Sequence, residues 1–264
     1  MKSAEILRRK IQNNELILGA IATMHFWPGL VEITRAAGLD YLIIDAEHTA
    51  WDEEQVTAAC AIGRMVDFPV LIRPSETRGR LVRMAADKGV CGLLLPFVES
   101  AAVLDEVRDA LYMPPRGRRR TGGPVLRWVS SYQYESMRQS LEDPLIILPQ
   151  IESRNGLANV DEIARHQLTT AVAVGPYDLS ANLGVCWEPD SPELQQAIER
   201  VQAAARAAGK RMWMVGDSAE FIQRGFNFLC IADPVDLCEQ AMAAQASALR
   251  AAAAAHSASG ERTK

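Results

Sequence analysis

Eight short runs rich in Val, Ile and Leu recur along the chain, at residues 16–23, 41–47, 69–74, 91–98, 145–152, 170–175, 211–216 and 228–232. Each has strand length and is nearly continuously apolar, the pattern of strands buried on both faces of a parallel sheet. Between them, apolar residues recur at helical spacing over 29–37, 51–65, 79–88, 101–112 and 194–208. In the first of these, Leu30, Ile33 and Ala37 share one face. Gly38, Gly89, Gly209 and Gly225 stand where a helix would end before the next strand, the position that favours glycine. This alternation predicts an α/β protein, a closed (β/α)8 barrel, as a single domain over residues 1–250. The alternative is an open doubly wound sheet, but no GxGxxG follows any of the runs.

Two stretches depart from this rhythm. Residues 113–128 (MPPRGRRRTGGPVLRW) read as a Pro/Gly/Arg loop between the fourth and fifth strands, followed by a helix at 132–141. An arginine run of this kind lies solvated or binds one anion, so Arg116–Arg120 is a candidate contact for an acidic substrate tail. From Ala241 the chain reads as an Ala-rich helix, and residues 251–264 as a frayed tail without chemistry.

Composition narrows the partners. The 264 residues are 48% hydrophobic and 23% charged, enough apolar sequence for a substantial core and too much for disorder. Lys and Arg number 28 against 33 for Asp and Glu, a net charge of −5. That gives no electrostatic footprint for nucleic acid or an anionic membrane. The longest apolar runs, such as 93–98, are far too short to span a bilayer, and residues 1–10 have no signal-peptide core. Five cysteines, at 60, 91, 186, 230 and 238, show no CxxC spacing. This excludes a disulfide framework or zinc ribbon and points to a reducing compartment, read as the cytoplasm.

In such a barrel, chemistry collects at the C-terminal ends of the strands. Asp45, Glu47 and His48 end the second strand, Arg73 the third, and Gln150 and Glu152 the fifth. Asp178 follows the sixth strand, Asp217 the seventh and Asp233 the eighth. Asp217 precedes Glu220 at capping-box spacing, and Asp233 precedes Pro234, so both read as helix N-caps. Asp45 could be structural, orienting a neighbour. Glu152 and Asp178 have no such role, and a Glu closing an apolar strand is costly unless paired or on a metal. Arg73 likewise needs an anion. His166 precedes the sixth strand at the opposite face and His256 lies in the tail, which leaves His25 and His48.

The lysines decide the type of chemistry. Lys88 and Lys210 come just before strands, at the wrong end of the barrel, while Lys2, Lys10 and Lys264 are terminal. A Schiff-base lyase needs a lysine at the mouth, and none is expected there. Carboxylates beside an Arg suggest a divalent cation instead, with water and substrate completing an octahedron. An all-oxygen ligand set favours Mg, Mn or Co over zinc.

At these residues the sequence resembles the HpcH/HpaI aldolases. These are metal-dependent (class II) pyruvate aldolases such as 4-hydroxy-2-oxoheptanedioate aldolase and 2-dehydro-3-deoxyglucarate aldolase. The matching segments are GLDYLIIDAEH at 38–48, Ile72-Arg73-Pro74, Leu94-Leu95-Pro96, Gln150-Ile151-Glu152 and GPYDLSANLG at 175–184. They occur in family order and the likeness extends over residues 16–245.

The resemblance implies a phosphoenolpyruvate/pyruvate-type barrel assembled as a homohexamer, a trimer of dimers, with the last helix swapped between neighbours. It implies reversible aldol cleavage of a 4-hydroxy-2-oxo acid to an aldehyde and pyruvate, or another 2-oxo acid, through a metal-stabilised enolate. Glu152 and Asp178 would hold the divalent metal. Arg73 would stabilise the enolate oxygen. His48, paired with Asp45, would act as base through a metal-bound water. Gln150, Gly175 and Pro176 would seat pyruvate.

The chain departs from the family's pattern at three places: the first is of little consequence, and the other two bear on the acceptor side of the substrate. Ala46 stands where the family usually has glycine, and Arg120 replaces the glycine of its Pro-Pro-x-Gly-x-Arg-Gly loop. The first strand exits into the bulky Met24-His25-Phe26-Trp27. Two other readings use the same parts. One is a related metal-enolate lyase, an oxaloacetate decarboxylase or a citrate-type lyase or synthase. The other is a non-catalytic ligand-binding barrel, which would be marked by a lost metal ligand; none is lost here.

Overall fold

The structure is a computed structural model that describes residues 1–49 and 52–260. Its strands are β1 (Ile17–Ala22), β2 (Tyr41–Asp45), β3 (Val70–Arg73), β4 (Gly92–Leu95), β5 (Ile146–Ile151), β6 (Ala171–Val174), β7 (Arg211–Val215) and β8 (Phe228–Ala232). Each falls within one of the eight apolar runs. They pair in parallel in chain order, and β8 closes on β1. The result is the (β/α)8 barrel that the sequence predicts. Helices including Leu30–Ala36, Glu53–Met65, Gly79–Lys88, Ala101–Leu111 and Pro192–Ala207 return the chain along the outside. Asp52 caps Glu53–Met65, its side chain accepting from the Glu54 N–H at 2.6 Å, and Trp51 lies outside the described residues. Gly89 ends Gly79–Lys88 at φ +88°, a conformation that would strain any other L-residue.

Two layers of core follow from strand periodicity. Leu42, Ile44, Val70 and Ile72 face outward and pack under the helices. Tyr41, Ile43, Leu71, Ile146, Leu148, Ala171, Ala173 and Trp213 fill the interior. Trp213 Nε1 donates to the Tyr41 hydroxyl at 2.7 Å, and that hydroxyl donates to the Leu229 carbonyl at 2.8 Å, so the buried polar atoms are satisfied. A side chain at Gly19 would overlap the Tyr41 ring. The helix Lys2–Gln12 closes the floor, burying Ala4, Leu7 and Ile11 against the same interior cluster.

This periodicity also places the functional side chains. Asp45 continues the inward parity of Tyr41 and Ile43, Arg73 that of Leu71, and Gln150 and Glu152 that of Ile146 and Leu148. The interior is apolar through the barrel and turns polar at its C-terminal end.

The structure modifies two other expectations. The helix expected at 132–141 is a single α-turn, Tyr134–Met137, widening into a π-turn over Arg138–Glu142. The Ala-rich segment stays helical from Pro234 to Gly260, through much of the stretch expected to fray; alanine's high helix propensity accounts for it. Residues 261–264 of that stretch lie outside the described residues. Among the described residues, no helix is long and apolar enough to cross a membrane.

Candidate active site

Asp45 and Arg73 are register partners on adjacent strands, so their inward side chains meet at the mouth. Arg73 donates from Nε to Asp45 Oδ1 at 2.8 Å and from Nη2 to Oδ2 at 2.7 Å. Asp45 is fully buried and Arg73 nearly so. Burial disfavours the arginine's charge, but the Asp45 hydrogen bonds and the Asp45, Glu47 and Glu152 carboxylates outweigh it and raise its pKa. The guanidinium is a permanent, oriented cation.

Glu47 sits two residues beyond Asp45, its backbone N–H donating to Asp45 Oδ1 at 3.0 Å. Its Oε2 lies 3.1 Å from Arg73 Nε and 3.8 Å from His48 Nε2. That oxygen completes no hydrogen bond, because Arg73 Nε is aimed at Asp45. Burial raises the Glu47 carboxyl, against the attraction of Arg73 and His48. The resemblance assigned His48 to Asp45; the structure sets it beside Glu47 instead. Asp45 is directed to Arg73, and the chain turns outward after β2, leaving the His48 side chain 59% exposed.

Glu152 follows the last residue of β5 and is 3% exposed. Its Oε2 accepts the Phe97 N–H at 2.8 Å. Burial, followed by the neighbouring Glu47 and Asp178, pushes its carboxyl up to about 8, against the Phe97 hydrogen bond and Arg73. Asp178 is exposed in the first turn of the helix Pro176–Leu183, and its charge raises the pKa of both Glu47 and Glu152. Gln150 is 3% exposed, and its Oε1 has no hydrogen-bond partner.

β5 pairs with β6 at Gln150↔Ala173 and Ile151↔Val174. One step further, the register brings Glu152 to Gly175. A Cβ at Gly175 would stand 2.6 Å from Gln150 Nε2 and closer still to Glu152 Oε1. The missing side chain therefore makes a cradle between the carboxylate and the amide. Acidic oxygens whose charge is under-compensated, an orphaned amide oxygen and this cradle fit a divalent cation. Among the described residues, no three His, Cys, Asp or Glu groups converge as a metal site. The candidate ligands remain the pair Glu152 and Asp178.

The other sequence candidates separate cleanly. Asp233 Oδ1 accepts the Val235 N–H at 2.8 Å, as an N-cap does, and Oδ2 also takes the Thr23 N–H, the Thr23 hydroxyl and the Met24 N–H. It ties the exit of β1 to the end of β8. Asp217 is not the cap expected of it: Ser218 holds that position, and Asp217 is exposed. His25 is exposed beyond β1. His166 precedes β6 at the opposite face, 3.4 Å from Asp105.

The arginine run requires a correction. Arg116–Arg120 follows the helix Ala101–Leu111 and precedes β5, which puts it at the N-terminal end of the barrel, away from the mouth. Arg116 pairs with Asp143 and Glu142, Arg118 with Asp109, and Arg119 with Asp87. A segment between a helix and the next strand must return to the floor, so this run does not meet a substrate tail at this chain's mouth.

One contributor escaped the sequence, and another was named there without a role. Phe97 acts through its backbone N–H at φ +52°, which no side-chain pattern advertises. Glu47 is one of the carboxylates at the strand ends, and its inward parity with Asp45 is what brings it to Arg73.

Fold and site together define a (β/α)8-barrel enzyme with an acidic, arginine-bearing active site. Residues 24–239 match the model of the HpcH/HpaI aldolase/citrate lyase family, and the chain belongs to that family. It is an enzyme of the aldolase/lyase type. It is 33% identical over 207 residues to the 2-keto-3-deoxy-L-rhamnonate aldolase of Shigella boydii serotype 4, covering 76% of this chain and 77% of that one. The HpcH/HpaI aldolase of Desulfitobacterium hafniense DCB-2 superposes with a TM-score of 0.85 at 26% identity, over 93% of this chain and 96% of that chain. The citrate synthase SbnG shares the fold, with a TM-score of 0.80 at 19% identity over 93% and 98% of the two chains.

Proposed function

We propose that this enzyme reversibly cleaves a 4-hydroxy-2-oxo acid to an aldehyde and a 2-oxo acid such as pyruvate. The observation that carries this reading is the buried, doubly bonded Arg73 facing the Glu152 carboxylate across the mouth. The named substrate of the curated relatives, a 2-keto-3-deoxy sugar acid, belongs to the same chemical class.

Breaking the C3–C4 bond leaves its electron pair on C3, and the charge spreads to the 2-oxo oxygen as an enolate. Arg73 is set to receive that charge: Asp45 fixes its plane, so little reorganisation is needed as charge develops. Gln150 and the backbone at Gly175 and Pro176 seat the substrate, the absent Cβ leaving room beside Glu152. Glu152 and Asp178 would hold a divalent cation, Mg, Mn or Co, which when bound supplies Lewis-acid polarisation of the 2-oxo group. His48, exposed and beside Glu47, takes the proton of the C4 hydroxyl and returns one to C3 of the enolate, which becomes the methyl group of pyruvate.

We also infer a homohexamer and a cytoplasmic setting. The first is supported by exposed Leu237, Met242 and Leu249 on the helix Pro234–Gly260; the second by five free cysteines.

The test is pyruvate release from a panel of 2-oxo acids with added Mg, Mn or Co. The reading expects turnover with 4-hydroxy-2-oxo acids that a chelator abolishes reversibly, and no covalent adduct with pyruvate and borohydride. Turnover of oxaloacetate or citrate alone would favour the decarboxylase or citrate-type reading. Covalent pyruvate on a lysine would overturn the metal assignment.

A further inference from the structure

At the end of the barrel opposite the active site, two clefts adjoin, sharing Tyr112, Gln167 and Leu168. Both are rich in cations, but they differ in compensation. In the first, of about 530 Å³, each arginine has a carboxylate: Arg108 takes Asp105 and Asp109, Arg116 takes Asp143 and Glu142, and Arg118 takes Asp109.

The second, of about 480 Å³, is lined by Arg8, Arg206, Lys210 and Arg211, and no carboxylate lines it. Arg8 and Arg211 spend their hydrogen bonds mainly on carbonyls: Arg8 on Leu145, and Arg211 on Lys10, Glu15 and Asn227. These bonds fix the two guanidiniums in the cleft wall without neutralising them, and Arg211 Nε is buried with no partner. Lys210 and Arg206 form no ion pair among the described residues. The nearest outside charges are weak compensation: Asp143 is already paired with Arg116 and Arg138, and Glu15 is exposed.

In a chain of net charge −5, four such cations in one cleft need an explanation. The C-terminus of the helix Pro192–Ala207 accounts for part of it, since Arg206 lies in its last turn. It does not account for Arg8, which comes from the floor helix, or for Arg211, which opens β7. Burial lowers the pKa of Arg8, Lys210 and Arg211, the last to about 10, and Arg8 lowers Lys210 further. The cluster is short of negative charge.

We propose that this cleft is a binding site for a small phosphate-bearing anion, distinct from the active site at the other mouth. Its volume suits a metabolite, while the acidic remainder of the surface disfavours a nucleic acid or a membrane. Arg8 sits on the floor helix and Arg206, Lys210 and Arg211 on the segment entering β7. A bound phosphate would therefore bridge the floor helix to the barrel wall and stabilise the fold.

The experiment is calorimetric titration of the metal-loaded enzyme with inorganic phosphate at fixed ionic strength, with thermal melts alongside. The expected result is saturable binding and a higher Tm than with chloride at the same ionic strength. Lys210→Gln with Arg206→Gln should weaken phosphate binding at least tenfold, about 1.4 kcal/mol, because two unpaired cations are lost. Neither residue forms an ion pair among the described residues, so the variant should melt near the parent in phosphate-free buffer. Arg118→Gln, in the compensated cleft, should leave phosphate affinity within twofold. Equal responses to phosphate and chloride would overturn the proposal, as would undiminished binding in the double variant, which would place the anion at Arg73. Should the double variant melt early, Lys210→Gln alone decides by the same criterion.

Discussion

Arg73 and Asp45 lie side by side on β3 and β2 and are joined by two parallel hydrogen bonds, at 2.8 and 2.7 Å, beneath the mouth of the barrel. The carboxylate accepts from both Nε and Nη2 along one edge of the planar guanidinium, a fork that an ammonium could not offer. Asp45 therefore sets where the positive charge points, and Glu47 Oε2 lies 3.1 Å from the same Nε without a hydrogen bond of its own.

Arg73→Lys should lower kcat for aldol cleavage by about 10²–10³, the usual cost of losing one oriented donor to a developing oxyanion. Divalent-cation affinity should be nearly unchanged, since Arg73 is not among the proposed ligands. Asp45→Asn should move kcat in the same direction but less. Steady-state kinetics with metal titration checks this; a near-native Arg73→Lys would make the residue a structural partner only.

Gly175→Ala places a methyl between Glu152 and Gln150. The backbone tolerates it, because φ is −99° there. The damage should be local: weaker metal binding by about 10–100-fold, as when a ligand's setting is disturbed. Stability should fall by about 1–3 kcal/mol from overpacking. Titration of the apo protein with Mn²⁺ and a denaturant melt separate the two effects.

Glu152 gives the metal-free protein a pH signature. Its folded pKa of about 8 lies above the ordinary value of 4.5, so the folded state holds a proton that the unfolded state releases. The associated stability is complete below about 4.5 and is lost as pH rises through about 8. In chelator, unfolding free energy should decline across that window, and Glu152→Gln should flatten the decline. An unchanged profile in Glu152→Gln would mean that Glu152 carries no raised pKa.

His48 and the acidic pair should separate by substrate. Decarboxylation of oxaloacetate forms the enolate by losing CO₂, with no proton to remove first. His48→Ala should therefore keep that activity within about tenfold, roughly 1.4 kcal/mol of barrier. Aldol turnover and exchange of pyruvate methyl protons in deuterium oxide should fall by about 10²–10⁴. Glu152→Ala or Asp178→Ala should abolish all three. Native-rate exchange in His48→Ala would move the base to another residue, with His25 next in line.

The eight strands, their order and the helices between them follow from the sequence itself. Continuous Val/Ile/Leu runs have one stable setting, a sheet covered on both faces, and the connecting helices make that sheet parallel. The position of Arg73, Gln150 and Glu152 at strand ends was legible for the same reason: in a parallel barrel, each strand's last residue lies at one mouth. So was the placing of Lys88 at the end of a helix and of Lys210 just before β7. The same rule, applied to Arg116–Arg120, would have sent that run to the floor. Tertiary structure alone decided which partner each charge takes. Asp45 meets Arg73 because β2 and β3 pair at that register, and His48 falls to Glu47 because the chain leaves the sheet between them. Gly175 matters only because β6 lies beside β5, and Phe97 only because its N–H turns inward at a left-handed residue. Hydrophobic period is a property of one segment and can be read along the chain; register, side-chain direction and shared desolvation arise between segments and exist only once the barrel has closed.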